Sequence, residues 1–184
     1  MASTCLVALI VPITLCAQDV ISTEQRLKWV VSSTVGPASL AGGALSAGFG
    51  TLINLPSEYQ THWSGFGKRY GMRLTGVASS NVVEAGLGAA WGEDPRYTRA
   101  AGQPFRSRLG HVVKMTFLDS NNRPAYARYA AIAGTNFASN AWRADSEATA
   151  GRASLRVALG FLGRMSGNAF REFWPDIKAR GHHD

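Results

Sequence analysis

Residues 38–54 read ASLAGGALSAGFGTLIN, a run of small and apolar residues that carries no charged side chain. Small residues recur every four positions along this run, at Ala38, Gly42, Ser46 and Gly50. A helix would place them on one face, and such a face lets a second backbone approach closely, as it does between helices in membranes. The four glycines of the run weaken an isolated helix, so we expect neighbouring helices to pack against this one and bury it.

Two other interpretations of residues 38–54 stay open. The run is about 17 residues long, which is marginal for a membrane span, so it could also form one arm of a membrane-inserted hairpin. Its glycines equally allow a flexible segment. The sequence alone does not decide between burial in protein and burial in lipid.

The residues on either side of this run have helical signals. Residues 23–33 begin at a candidate N-cap, Thr23, and the Gly36-Pro37 pair separates this helix from the next. Ser57 is a candidate N-cap for a second helical stretch, which continues to Trp91. The glycines of GFGKRYG could break that stretch into two helices.

Helical signals dominate the second half of the chain, and there is almost no strand signal. The predicted segments are a loop at 92–104, a segment ambiguous between helix and strand at 107–117, a turn at 119–124, and helices at 125–142 and 146–173. Pro175 is expected to end the last helix. The sequence therefore predicts an all-α fold, a single domain of about five helices packed through faces of Gly, Ala and Ser.

The chain begins with an uncharged segment, MASTCLVALIVPITLCA, whose apolar centre extends from Cys5 to Leu15. An apolar run of this length is too short to span a bilayer as a helix and has the size of the hydrophobic region of a secretory signal peptide. We therefore predict a signal peptide at 1–17, a helical domain at 18–177 and a polar tail at 178–184. The processed protein would function outside the cytoplasm, in the periplasm or the cell envelope.

Composition narrows the partners that the protein can bind. Both cysteines lie in residues 1–17, so the processed domain would have no disulfide and no thiolate ligand for a metal. The formal net charge of +7 and the pI near 9.9 favour anionic lipid or acidic envelope polymers. Nucleic acid is not expected as a partner, because an exported protein is separated from the nucleic acid of the cytoplasm. The arginines are also scattered along the chain and do not form one basic stretch. No cofactor is predicted, and nothing in the sequence indicates an oligomeric state.

Four short segments occur in a fixed order along the chain: GFGKRYG at 65–71, EDPRY at 93–97, NAWR at 140–143 and EFWPD at 172–176. As a set they resemble a group of uncharacterised exported bacterial proteins. The resemblance covers roughly residues 56–177. It implies a helical fold and a place in the cell envelope, and it implies no mechanism.

Few residues outside the termini could carry chemistry, and the catalytic candidates are His62, Glu84 and Asp94. Glu84 follows the small residues Gly76 and Ser80 at intervals of four, which places it among small side chains on one helix face. His62 lies four residues after Glu58, so the pair could share a helix face and bind a metal. No further ligand joins them in the sequence, and no metal site is predicted.

Five further residues are candidates for binding or for a structural clamp between helices: Arg69, Arg96, Tyr97, Glu172 and Asp176. The guanidinium of Arg96 can form two hydrogen bonds with one carboxylate, and we expect Glu172 or Asp176 to be its partner. Tyr97 can pack its ring while its hydroxyl forms a hydrogen bond. This clamp would join the EDPRY segment to the last helix.

Two functions fit these observations. The first is a non-enzymatic envelope protein that associates with membrane or with anionic envelope components through its basic surface. The second is an enzyme that modifies an envelope lipid or polymer, with His62, Glu84 and Asp94 around one pocket. An apolar groove rimmed by Lys and Arg would favour the first, and carboxylates with a His around a concave site would favour the second.

Overall fold

The computed structural model describes residues 21–180, and most of these residues are helical. The α-helices are α1 (Thr23–Val35), α2 (Pro37–Leu52), α3 (Trp63–Trp91), α4 (Phe105–Phe117), α5 (Tyr126–Ala138) and α6 (Ala150–Arg180). Single turns of 3₁₀-helix lie at Ser57–Tyr59 and Ser139–Trp142. The described range contains no strand, only an isolated bridge between Leu118 and Pro124. The prediction of an all-α single domain is confirmed, while the predicted signal peptide lies outside the described residues.

The N-cap of α1 is Ser22, one residue before the expected cap, Thr23. The hydroxyl of Ser22 accepts a hydrogen bond from the Gln25 backbone N at 3.2 Å, and Oε1 of Gln25 accepts one from the Ser22 backbone N at 3.1 Å. This reciprocal capping box needs Glu or Gln three residues after the cap, which Ser22 has and Thr23 lacks. At the other end, Gly36 ends α1 and Pro37 is the first residue of α2, as predicted.

The helix expected to begin after Ser57 is a single 3₁₀ turn. Gln60, with φ of 60°, ends that turn, and α3 begins only at Trp63. His62 is therefore the N-cap of α3, and Glu58 lies on a different element. The shared helix face that would have paired these two residues does not form.

Helix α3 runs unbroken through the three glycines that could have interrupted it. A Cβ on Gly65 would lie 2.1 Å from the carbonyl oxygen of Tyr59, so this glycine lets the preceding turn pack directly on the helix. Gly67 and Gly71 have open space where a Cβ would be. The helix persists because α1, α2 and α5 all pack against it, and such packing supplies most helical stability in proteins.

Helix α6 also continues past its expected end, through Pro175 to Arg180. A proline inside a helix removes one backbone hydrogen bond and disturbs the carbonyls of the preceding turn. Here the carbonyl oxygen of Glu172, in that turn, accepts hydrogen bonds from Arg99 and Arg108. These guanidinium groups bind α6 at the turn before Pro175, next to the Arg171 carbonyl that loses its helical partner there. The prediction that the helix ends at Pro175 is wrong.

Helix α3 is the central element, and α2 lies on the outside of the bundle instead of at its centre. The buried residues of α2 are Gly43 and Ala47, and a Cβ on Gly43 would meet the ring of Tyr70 at 2.9 Å. The predicted face is displaced from this contact, since Ala38 and Ser46 are exposed. A spacing of four residues drifts around a helix of 3.6 residues per turn, so that stripe could not stay on one face.

The packed interior is unusually polar. In the described range the buried set contains ten apolar residues, five of them alanine, and twelve polar or charged residues. Glu172, Asn168 and Asp119 are among the largest fully buried side chains. Buried charges are rare in proteins unless they are paired, so the partners of these groups decide how the bundle is held together.

Candidate functional site

Glu84 is the centre of the first of two buried ion-pair clusters. It lies on α3 with 3% of its surface exposed. Its Oε1 accepts hydrogen bonds from Nε of Arg128 on α5 at 2.9 Å and from Nη2 of Arg164 on α6 at 2.8 Å. Burial lowers the pKa of Arg164 to about 10, so the guanidinium is still charged at neutral pH. One carboxylate therefore joins three helices.

The two arginines of the Glu84 cluster also bind backbone carbonyls. Nη1 of Arg128 donates to the carbonyls of Met115 and Thr116 at 2.8 and 3.0 Å, in the last turn of α4, where the helix dipole favours a positive charge. Nη2 of Arg164 donates to the carbonyl of Pro95 at 2.7 Å. Glu84 thus makes two ion pairs through one oxygen, and the cluster connects α3, α4, α5, α6 and the loop after α3.

Glu172, on α6, is the centre of the second cluster and is fully buried. Its carboxylate accepts hydrogen bonds from Nε of Arg108 at 2.6 Å, from the hydroxyl of Tyr97 at 2.7 Å and from the backbone N of Ala100 at 3.1 Å. Burial opposes ionisation of Glu172, but these hydrogen bonds outweigh it and hold the pKa of the carboxyl below its ordinary value. The cluster joins α6 to α4 and to the 92–104 loop.

Asp176 extends the Glu172 cluster toward solvent. Its carboxylate pairs with Nη1 of Arg108 at 2.5 Å and with Nη2 of Arg99 at 2.9 Å. Hydrogen bonding by Arg108, with Arg99 contributing, holds the pKa of Asp176 below its usual range. The guanidinium of Arg108 also lies over the ring of Phe173, 4.7 Å from its centroid.

The contact between the EDPRY segment and the last helix exists, but other arginines make it. Arg96 forms its ion pair with Asp94, two residues away, at 2.7 Å. Arg99 and Arg108 bind the two carboxylates that the sequence assigned to Arg96. The Asp94 carboxylate also accepts the backbone N of Arg96 at 2.9 Å, a local turn that turns the Arg96 side chain toward Asp94. Tyr97 makes the expected hydroxyl contact.

Arg69 holds the connection between α2 and α3 from inside. Its guanidinium donates to the backbone carbonyls of Leu55, Pro56 and Gln60 at 2.9, 2.8 and 2.7 Å. It also lies over the ring of Tyr59, 5.7 Å from the centroid. Only 7% of Arg69 is exposed, so the residue stabilises this connection and is not available to an external anion.

An open pocket of about 410 Å³ lies between the end of α3 and the start of α5. Its lining residues are Trp91, Glu93, Asp119, Arg123, Pro124 and Tyr126. Glu93 accepts the backbone N of Ala127 at 3.1 Å, and burial, with the nearby charge of Asp119, raises its pKa. Asp119 pairs with Arg123 at 3.1 Å. This is a concave site with a perturbed carboxyl, which the sequence did not predict.

The three catalytic candidates from the sequence do not share one site. His62 is exposed at the start of α3, Glu84 is paired with two arginines inside the bundle, and Asp94 pairs with Arg96 in a loop. Across residues 21–180, no group of three or more His, Cys, Asp or Glu is arranged to hold a metal ion. Glu84 and Asp94 do line one narrow cleft together, with Glu93 and Arg128, but His62 is not part of its lining.

The residues that sequence reasoning missed are arginines: Arg99, Arg108, Arg128 and Arg164. Fifteen of the nineteen basic residues of the chain are arginine. Arginine is the basic residue suited to buried ion pairs, because its planar guanidinium matches a carboxylate with two hydrogen bonds and is weakly hydrated. That excess was the available signal for a polar core.

Large apolar side chains cover the outside of the bundle. Twenty-six of them are exposed among the described residues. The most exposed are Trp63 at 85%, Leu52 at 84% and Leu45 at 75%, and all three belong to α2, α3 or the connection between them. Further exposed residues on α6 include Leu159, Trp174 and Ile177. None of the helices in residues 21–180 is both long and apolar enough to cross a bilayer.

The charges left on the surface are mainly basic. The carboxylates of Glu84, Glu172 and Asp176 are all held in ion pairs with arginine. Five exposed basic side chains make no hydrogen bond or ion pair within residues 21–180: Lys68, Arg106, Lys114, Arg152 and Lys178. The described chain therefore exposes both positive charge and large apolar side chains.

Comparison with protein-family models, with curated proteins and with solved structures finds no match to this chain.

Proposed function

We propose that this chain is an exported, non-enzymatic protein of the cell envelope that associates with membrane through its apolar outer surface. Its exposed basic side chains contact anionic lipid or acidic envelope polymer. Export rests on the signal-peptide pattern of residues 1–17 and on the resemblance of the four segments to exported bacterial proteins. The association with membrane rests on the structure of residues 21–180.

The observation that supports this proposal is the distribution of polar and apolar side chains. Ion pairs and polar groups fill much of the interior, while 26 large apolar side chains are exposed in the described chain. Leu45, Phe49 and Leu52 are all exposed at helical spacing on α2, and exposed apolar side chains that share one helix face are typical of contact with a partner or a membrane. The carboxylates of Glu84 and Glu172 are paired with arginines in the interior, so they add no negative charge to the surface that would meet an anionic membrane.

The two ion-pair clusters act as structure in this proposal. Glu84 has two arginine partners, and Glu172 has three hydrogen-bond donors. Both carboxylates are buried and their charge is matched by arginine within the protein, so each has a structural role in this proposal. The clusters hold the helices together where apolar burial is small.

Fractionation of native cells tests the proposal most directly. We expect the protein in the membrane fraction, with partial release by high salt and full release by detergent. Mass spectrometry should find an N-terminus between Ala17 and Val20. Recovery of the intact chain, with Met1, from a cytosolic fraction would remove the basis for an envelope function.

Vesicle sedimentation tests the role of the basic side chains. Replacing Lys114 and Lys178 by Gln should weaken binding to vesicles with 30% phosphatidylglycerol about thirtyfold, because each basic residue near an anionic surface contributes about 1 kcal/mol and the two together about 2 kcal/mol. Lys28→Gln is the control, since Lys28 already pairs with Glu24 at 2.5 Å. Equal binding of the double variant and the parent would contradict the anionic-lipid part of the proposal.

The pocket beside Glu93 favours a second candidate function, an enzyme that modifies an envelope lipid or polymer. A buried carboxyl with a raised pKa in a concave site fits a general acid. The test incubates isolated envelope lipids and polysaccharides with the parent and with Glu93→Gln, and follows products by mass spectrometry. A product formed by the parent and lost in the variant would establish the enzyme and displace the non-enzymatic proposal.

A further inference from the structure

The end of the α2–α3 hairpin, residues 49–63, contains the two most exposed large apolar side chains of the described chain. Leu52 and Trp63 are 84% and 85% exposed, and Phe49 and Ile53 are 64% and 50% exposed. We call residues 49–63 the hairpin tip. Side chains this exposed make few contacts with the rest of the protein, so Leu52 and Trp63 project from the bundle.

Three loop carbonyls of the hairpin tip are bonded from within the protein. Its loop carbonyls at Leu55, Pro56 and Gln60 all accept hydrogen bonds from the buried guanidinium of Arg69. A surface loop in water can leave its carbonyls to the solvent, and it needs no buried arginine for them. In lipid the opposite holds, because no water is available to the backbone and every polar group needs an internal partner.

Aromatic rings support the hairpin tip along α3. The ring of Trp63 contacts that of Phe66 edge to face with centroids 5.9 Å apart, and Phe66 stacks on Tyr70 at 6.1 Å. Tyr70 in turn packs at Gly43 of α2. Tryptophan is enriched where a protein meets the boundary between hydrocarbon and head groups, and Trp63 is at the outer end of this row.

We propose that the hairpin tip is the element that inserts into a phospholipid bilayer, at the level between head groups and acyl chains. This inference rests on the proposed membrane association and assigns it to one part of the surface. Leu52, Ile53 and Trp63 enter the apolar layer, while the internally bonded loop carbonyls follow without needing water. Glu58 and His62 lie on the same connection and are exposed, which limits insertion to the interfacial region.

A second copy of the chain fits the hairpin tip less well than a bilayer does. A stable protein–protein interface uses about 20–30 residues on each side, and these lie in a broad, closely packed surface. The tip contains fewer residues than that, and its apolar side chains project. Lipid accepts a small projecting group without a complementary surface, so the bilayer is the occupant that the geometry favours.

Site-specific labelling tests the proposal in the full chain. Cys5 and Cys16 are the only cysteines, so a Cys5→Ser, Cys16→Ser background allows one environment-sensitive fluorophore to be placed at Leu52→Cys. The control position is Leu159→Cys on α6, which is 54% exposed and lies outside the hairpin. With phosphatidylcholine–phosphatidylglycerol vesicles, we expect emission at residue 52 to shift to the blue and to be quenched by shallow doxyl lipids, with no such change at residue 159.

Binding of unlabelled variants gives a second measurement. Leu52→Ser should lower the vesicle partition coefficient about tenfold, which corresponds to about 1.4 kcal/mol, while Leu159→Ser should change it less than twofold. If the protein binds vesicles while the fluorophore at residue 52 stays in a water-like environment, the proposed membrane association stands. The hairpin tip is then not the part of the protein that inserts. If no vesicles bind at all, the proposed function itself fails. A dimer in light scattering that Leu52→Ser dissociates would mean that a second copy covers the tip.

Discussion

Arg108 is the residue whose replacement should destabilise the fold most clearly. It is the cation that pairs with the fully buried Glu172, and 12% of its own side chain is exposed. Replacing it by alanine leaves the Glu172 carboxylate buried, with only the Tyr97 hydroxyl and the Ala100 backbone N still bonded to it. The variant therefore removes one partner of a buried pair and leaves the other charge in place.

The size of the effect follows from those contacts. Removing one partner of a buried ion pair typically costs about 3–5 kcal/mol. The second pair, with Asp176, is 43% exposed at the carboxylate and adds less than about 1 kcal/mol. For a protein of about 150–250 residues, 1 kcal/mol lowers the melting temperature by roughly 2–4 °C. Arg108→Ala should therefore lower it by roughly 6–20 °C.

Urea and thermal unfolding, followed by circular dichroism, measure this effect. Arg106→Ala is the matched control, because Arg106 lies on the same helix two residues earlier, is exposed, and makes no side-chain hydrogen bond within residues 21–180. We expect the control to lie within about 0.5 kcal/mol of the parent. A double-mutant cycle of Arg108→Ala with Glu172→Gln should give a coupling energy of about 0.5–3 kcal/mol. If Arg108→Ala is as stable as Arg106→Ala, the cluster around Glu172 does not hold α4 to α6.

Three further predictions concern Gly65, Glu172 and Glu93. Gly65→Ala should destabilise the protein by about 1–3 kcal/mol, because its Cβ would meet the Tyr59 carbonyl at 2.1 Å, whereas Gly67→Ala has open space and should be neutral or slightly stabilising in thermal unfolding. The pKa of Glu172 is lowered in the folded protein, so its ionised carboxylate contributes fully to the free energy of unfolding above the ordinary Glu pKa. This contribution is lost as the pH falls through the pKa of the folded state. Glu172→Gln should therefore lose less stability than the parent between about pH 5 and pH 2. The pKa of Glu93 is raised in the folded protein, so ionisation of this carboxyl opposes folding at neutral pH. Glu93→Gln should therefore be more stable than the parent at pH 7, and the difference should vanish below the ordinary Glu pKa. A stability difference that stays constant across this pH range would contradict the raised pKa of Glu93.

Local signals in the sequence were sufficient for much of the fold. Gly36 and Pro37 separate α1 from α2 as predicted, and the Gly- and Pro-rich loop at 92–104 lies between α3 and α4. The spacing that placed Glu84 among small residues agrees with its burial on α3. These features depend on backbone geometry and side-chain size over a few residues, which a sequence displays directly.

The partners of the buried charges could not be read in the same way. Arg108 and Glu172 are 64 residues apart, and Arg164 and Glu84 are 80 apart. The chain offers fifteen arginines, and their local surroundings do not distinguish Arg96 from Arg99 or Arg108. The guanidinium groups that bind the turn before Pro175 also come from distant segments, the 92–104 loop and α4, which the sequence around Pro175 does not show. Tertiary packing determines which arginine pairs with which carboxylate.

The polar interior has a consequence for how the protein responds to temperature. Exposing apolar surface on unfolding raises the heat capacity, whereas exposing polar surface lowers it. With twelve polar and ten apolar residues buried in the described chain, and half of the latter alanine, the two contributions partly cancel. The heat capacity change of unfolding should therefore be smaller than the usual value of roughly 12–15 cal/mol/K per residue. The free energy of unfolding would then curve weakly with temperature, and cooling would destabilise this bundle less than one of equal size with a hydrocarbon core.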